Sequence, residues 1–195
     1  MRIPTERTTV EARGLSHNAI AGLAVTSVAS ALLIVLLVAR LAAANTLASS
    51  APTGPLVGHP APSFTLTVWN GASARTIPLT SLKGKVVLVN FYASWCADCT
   101  EEVPLLQQFW QQYQSRDVVF LGIAYQDTQA NSLSFLKQFG VTYPCGPAAA
   151  GTATDYGVTG VPETVLIDRN GVVVHHYNGA VDDSTLNTAL QALVK

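Results

Sequence analysis

Val86-Val87-Leu88-Val89-Asn90-Phe91-Tyr92 is a nearly continuous apolar run, and two closely spaced cysteines follow in Trp95-Cys96-Ala97-Asp98-Cys99. A short unbroken apolar run predicts a strand buried on both faces. From Thr100 to Gln114, Val103, Leu106, Trp110 and Tyr113 recur at three- and four-residue spacing, which predicts a helix. A strand feeding directly into a helix restricts the fold to a βαβ type of unit. It also puts Cys96 at a helix N-terminus, where unpaired amides and the helix dipole favour a thiolate. Cys99, one turn further in, can close a short disulfide with Cys96. A Cys-x-x-Cys in a βαβ pattern reads as a thiol–disulfide exchange device.

The chain has 195 residues, enough for one domain and an extension. From Leu15 to Ala39 no residue is charged, and Ala, Val, Leu and Ile dominate from Ala19 onward. About 20 apolar residues span a bilayer as a helix. Arg2, Arg7, Arg13 and Arg40 flank the run, and no Lys or Arg follows until Arg75, so the N-terminus is expected in the cytoplasm. A cleaved signal peptide is the alternative, with Ala42-Ala43-Ala44 as the cleavage site, but signal h-regions are usually shorter. The expected organisation is a cytoplasmic 1–15, a transmembrane anchor 16–44, a Pro/Gly/Ser-rich linker 45–57 and an exported domain 58–195. Outside the cytoplasm, disulfide chemistry meets an oxidising compartment. The exported part carries seven Lys/Arg and ten Asp/Glu without a basic stripe, so nucleic acid is not an expected partner.

Within the domain, Phe64–Val68 alternates as a strand. Asn70-Gly71 is a turn signal, and Thr76–Leu79 can return as its partner. Val118–Ala124 reads as a second buried strand parallel to the first, and Gln129–Phe139 as a helix ended by Gly140. Tyr143–Asp155 holds Pro144, Gly146, Pro147 and Gly151 and is expected to be mostly loop. Thr164–Ile167 and Val172–Val174 flank the turn Asp168-Arg169-Asn170-Gly171 as a hairpin, and Leu186, Ala189, Leu190 and Leu193 make the last helix amphipathic. Pro104 is expected to kink the helix after the cysteines.

Together these segments resemble the thioredoxin superfamily, and more closely its membrane-anchored redoxins of the ResA/TlpA/CcmG (DsbE) type. Phe91-Tyr92-Ala93-Ser94-Trp95-Cys96 is similar to that family's strand-end motif. Gly157-Val158-Thr159-Gly160-Val161-Pro162-Glu163-Thr164 is similar to the segment that holds its cis-proline. Gln126–Asp155 is similar to its extra helix-containing insert. The resemblance implies an α/β fold with a thioredoxin-like mixed sheet and helices on both faces, an N-terminal hairpin extension and a central insert, preceded by one transmembrane helix. It implies that Cys96 is the attacking thiol and Cys99 the resolving one, and that Glu102 tunes the site. It places Val161, Pro162 and Glu163 in the groove that pairs with a substrate segment, with Pro162 cis. It further implies a reducing role on protein disulfides, apocytochrome c as a candidate substrate and a membrane electron donor. The redox group is then the Cys96–Cys99 disulfide itself, with no separate cofactor or metal.

Each residue also has a plainer role open to it. The cysteines can form a structural disulfide or half a zinc site, although zinc normally needs four ligands and no second Cys-x-x-Cys exists. His175 and His176 are adjacent on a strand and face opposite ways. Glu102 shares a helix face with Cys99 and can accept its proton, or it can be a solvated carboxylate. Glu163 can line the partner groove or face solvent, and Trp95 is expected to pack beside the disulfide or in the core. Asp98 replaces the family's usual proline and is expected to tune the potential. Cys145 has no place in the pattern and reads as a spare thiol. Two other functions share the fold. A copper metallochaperone would space its cysteines as CxxxC, and a peroxiredoxin-like peroxidase would carry a Thr-x-x-Cys active site, which is not expected in this chain.

Overall fold

A computed structural model describes residues 33–37, 54–71 and 75–195. The chain divides into two units, 1–51 and 52–195. Of the expected anchor, only 33–37 fall within the described residues, where they are helical and exposed. The expected cytoplasmic segment and most of the linker lie outside the described residues. Among those residues no helix is long and apolar enough to cross a membrane.

The second unit begins with the expected hairpin, β1 (Thr65–Val68) against β2 (Arg75–Pro78), antiparallel and separate from the main sheet. A 3-10 turn, Leu79–Leu82, leads into β3 (Val86–Tyr92), in which every residue is buried. Helix α1 (Ala97–Tyr113) follows and stays helical through Pro104, an exposed position. Then come β4 (Val118–Ala124), α2 (Gln129–Gln138), β5 (Cys145–Gly146), the one-turn α3 (Thr152–Asp155), β6 (Glu163–Ile167), β7 (Val173–Asn178) and α4 (Asp183–Leu193).

The main sheet has the order β5-β4-β3-β6-β7. β3 pairs parallel with β4 and antiparallel with β6, and the β6–β7 hairpin completes one edge. Side-chain alternation along β3 divides the core in two. Val86, Leu88 and Tyr92 face a cluster built from Val103, Leu106 and Phe109 of α1, Phe135 and Leu136 of α2, and Leu186 and Leu190 of α4. Val87, Val89 and Phe91 face the other cluster, with Phe64, Leu66 and Val68 of β1 and Tyr156 beyond α3. Burying one such side chain stabilises by about 1.5–3 kcal/mol, so this central strand anchors both layers. The helices are distributed less evenly than expected. The three long ones share one face, and the hairpin, the 3-10 turn and α3 cover the other.

The segment 143–155 departs from the loop expected of it. Gly122 and Ile123 of β4 pair with Cys145 and Gly146, and the hairpin approaches this short edge strand from outside. Trp69 N–H donates to Cys145 O at 2.8 Å and Thr67 N–H to Pro147 O at 2.9 Å. The Asn70 side chain spans the junction, donating to Tyr143 O and accepting from Cys145 N–H. Long-range pairing, not local propensity, makes this strand. Gly122 is required by close approach, since a Cβ there would lie 2.6 Å from Cys145 Sγ and 3.1 Å from the Tyr92 ring.

Candidate active site

β3 ends where α1 begins, and the cysteines sit at that junction. Cys96 is the N-cap of α1, with an extended backbone, and its sulfur accepts the Cys99 N–H at 3.1 Å. That bond satisfies one of the helix's orphan amides. The two cysteines are joined in a disulfide, with Cα atoms 5.3 Å apart. Cys96 is 6% exposed and Cys99 0%, so of the two cysteines the one at the helix cap is the less deeply buried.

The turn between strand and helix is held by the loop after β4. Ser94 donates its N–H and its hydroxyl to the two oxygens of Asp127, at 2.8 and 2.9 Å. The Trp95 indole N–H donates to Gln126 O at 3.1 Å, and Gln126 has φ of 47°, in the left-handed region. Trp95 itself is 60% exposed. It therefore does not lie in the core; its ring stands at the rim of the site. Ser94, Gln126 and Asp127 were not singled out from sequence. The signal available for them was Asp127-Thr128 ahead of a helical pattern, a cap signature that says nothing about the cysteines. A groove of about 320 Å³ opens beside Gln126, lined by Tyr125, Ala149, Gly151 and Thr154 among others.

Across from the cysteines, the Val161–Pro162 bond is cis and Val161 O lies 3.4 Å from Cys96 Sγ. Pro162 is buried and Val161 partly so. Glu163, the first residue of β6, is 3% exposed and does not face solvent. Its Oε1 accepts Thr159 N–H at 2.9 Å and Gly160 N–H at 3.2 Å, and its Oε2 lies 2.6 Å from His176 Nε2. Asp98, in the first turn of α1, is exposed, as is Glu101.

Glu102 is not a solvated carboxylate either: three residues after Cys99 on α1, it is 1% exposed. Asn90 Nδ2 donates to its Oε2 at 2.7 Å, and Thr164 Oγ1 and Val181 N–H donate to its Oε1 at 3.3 and 3.1 Å. Burial raises its pKa from 4.5 to about 7, against the opposing pull of these three hydrogen bonds. A carboxyl poised near neutrality can both take and return a proton.

Cys145 is fully buried, and burial pushes its thiol well above the ordinary range. Thr142-Tyr143-Pro144-Cys145 does spell Thr-x-x-Cys, contrary to expectation. A peroxidatic cysteine must be an accessible thiolate, and this one is neither. Among the described residues no three His, Cys, Asp or Glu side chains converge where a metal could bind.

The sheet order, the disulfide at the head of α1 and the cis-proline loop facing it define the thioredoxin-fold class of thiol–disulfide oxidoreductases. Residues 57–176 match the AhpC/TSA family, and the chain belongs to that family. It is 35% identical over 137 residues to the thiol:disulfide interchange protein DsbE of Xylella fastidiosa, covering 69% of this chain and 68% of that one. It is 31% identical over 142 residues to the thiol-disulfide oxidoreductase ResA of Geobacillus thermodenitrificans, covering 72% and 80%. Among solved structures, a thiol:disulfide interchange protein of the thioredoxin family from Chlorobium tepidum superposes with a TM-score of 0.63 at 28% identity, covering 74% of this chain and 98% of that one.

Proposed function

We infer that the chain reduces disulfides of partner proteins outside the cytoplasm through the Cys96–Cys99 pair. The observation that carries this is the asymmetry of the two sulfurs. Cys96 caps a helix and is the less buried member at 6% exposure, and Cys99 is fully buried one turn behind it. In the reduced protein the Cys96 thiolate attacks a partner disulfide. One partner sulfur leaves with the bonding electron pair, and a mixed disulfide forms. Cys99 loses its proton and attacks Cys96 Sγ, restoring the intramolecular disulfide and releasing the partner as a dithiol. Glu102, on the same helix three residues on, is suited to accept the Cys99 proton. Val161 offers its backbone beside Cys96 for pairing with the partner chain, and Trp95 supplies an exposed aromatic contact. Pro162 and Glu163 shape that groove from below its surface, and the Asp98 charge tunes the potential.

The apolar run 19–39 and its arginine asymmetry support a single anchor, 16–44, with the N-terminus in the cytoplasm, the linker 45–57 and an exported domain 58–195. The similarity to DsbE and ResA supports a place in cytochrome c biogenesis, with apocytochrome c as substrate and a membrane protein as electron donor. The redox group is the disulfide, and no further cofactor is invoked.

The test is a trap. Cys99→Ala should accumulate mixed disulfides with membrane or periplasmic proteins, and Cys96→Ala should not; the reverse result would exchange the two roles. For topology, protease added to intact spheroplasts should remove the domain. Protection of the domain, or a mature N-terminus near Asn45, would refute the anchored arrangement.

A further inference from the structure

A carboxyl and an imidazole lie out of water on the sheet face away from α1, those of Glu163 and His176, 4% and 1% exposed. β6 and β7 place them diagonally, since His176 pairs with Val165 and Glu163 with Asn178. The backbone of Gly54 lies directly over the imidazole, leaving no room for a Cβ at that position. A buried pair of this kind is weak evidence for stability, because apolar side chains of similar volume would serve as well or better. What it does geometrically is more specific. An ionised carboxylate only accepts hydrogen bonds. Here it collects the Thr159 and Gly160 amides on one oxygen and faces the His176 ring on the other. Val161, the residue after Gly160, has its carbonyl oxygen 3.4 Å from Cys96 Sγ.

We propose that His176 is a positioning residue for the redox site: it fixes the Glu163 carboxylate, which ties down Thr159 and Gly160 and so holds the Val161 carbonyl against Cys96. The inference rests on Cys96–Cys99 being the redox centre. A carbonyl oxygen facing sulfur accepts a hydrogen bond from the thiol and repels the thiolate, so it raises the free energy of the ionised reduced form. A site held this way is more reducing than one in which the carbonyl can swing away. Losing the donor on Glu163 should therefore let Cys96 ionise at lower pH and make the disulfide a stronger oxidant.

The experiment uses His176→Phe, which removes the donor, and His176→Gln, whose amide N–H can stand where Nε2 stands. The readouts are the equilibrium constant with glutathione and the pH titration of Cys96 thiolate absorbance, neither of which a merely structural role would move. For His176→Phe the equilibrium constant should move about tenfold toward the oxidising side, equal to about 30 mV for a two-electron couple, with a lower Cys96 titration midpoint. His176→Gln should stay near the wild type. If both variants fold and both keep the wild-type constant and midpoint, the proposal is wrong. If His176→Phe does not fold, the unaltered protein still decides. Linkage is reciprocal, so reducing the disulfide should shift the nitrogen resonances of the His176 ring more than those of His175. His176 signals that are the same in both redox states would overturn the proposal. A wild-type protein that does not exchange with glutathione at all would overturn the redox assignment itself, a separate outcome.

Discussion

Glu102→Gln should stabilise the oxidised protein in alkaline solution and not in acid. The folded protein holds the Glu102 proton up to about pH 7, whereas the unfolded chain releases it near 4.5. Between those values the folded state carries a proton that the unfolded state has lost, so stability falls as pH rises. Each pKa unit corresponds to about 1.4 kcal/mol, so this carboxyl costs about 3 kcal/mol above pH 7 and nothing below 4.5. Glutamine removes the titration and keeps most of the contacts. Its carbonyl can still accept from Thr164 and Val181. Its new amide would meet the Asn90 amide, but Asn90 Oδ1 is buried without a partner among the described residues. Rotating Asn90 turns that oxygen toward the new donor. An imperfect fit would cost on the order of 1 kcal/mol at every pH, which shifts the comparison without tilting it. Urea unfolding of both proteins, disulfides intact, at about pH 5 and about pH 8 gives the measurement. The variant should gain about 2.5 kcal/mol relative to wild type between the two, since part of the cost is already present at about pH 5. A difference independent of pH would show that Glu102 is ionised throughout and would remove it from proton transfer. In the same variant, resolution of a preformed mixed disulfide should slow by about 10²-fold while the first attack by Cys96 is unaffected.

Asp98→Asn removes a negative charge from the exposed first turn next to Cys96 and should raise the midpoint potential by up to about 30 mV, tenfold in the equilibrium constant. Titration against dithiothreitol or glutathione checks it, and an unchanged or lower potential would assign the tuning to buried groups alone. Gly122→Ala should destabilise by about 1–3 kcal/mol in chemical unfolding, because the new methyl meets Cys145 Sγ and the Tyr92 ring. Adding Cys145→Ala should recover part of that loss, and an unaffected single variant would contradict the tight packing between β4 and β5.

Local sequence patterns carried much of this architecture. The buried run at 86–92 and the helical spacing after Cys99 describe neighbours along the chain, and both elements formed where expected. The β1–β2 hairpin, the parallel β3–β4 pair, α2, the terminal hairpin and the last helix were equally legible. β7 extends to Asn178, beyond the apolar Val172–Val174 and the His175-His176 pair expected on the strand, because antiparallel pairing with β6 continues past the apolar residues.

The surroundings of the polar residues were decided elsewhere. Glu102 looks on its helix like any surface glutamate. Its burial depends on Asn90 twelve residues earlier, Thr164 on another strand and Val181 at the entry to α4. Trp95 is expected beside the disulfide or in the core, and it stands exposed with its indole N–H donating to the loop after β4. His175 and His176 are indistinguishable as a dipeptide, yet one stacks on Tyr177 and the other is buried against Glu163. The sequence by itself determined the periods of the elements and the placing of two thiols at a helix start, since both follow from backbone geometry within a few residues. Only the tertiary structure decided which carboxylates leave water and what they hold, because desolvation is set by every element packed around a group and not by its neighbours along the chain.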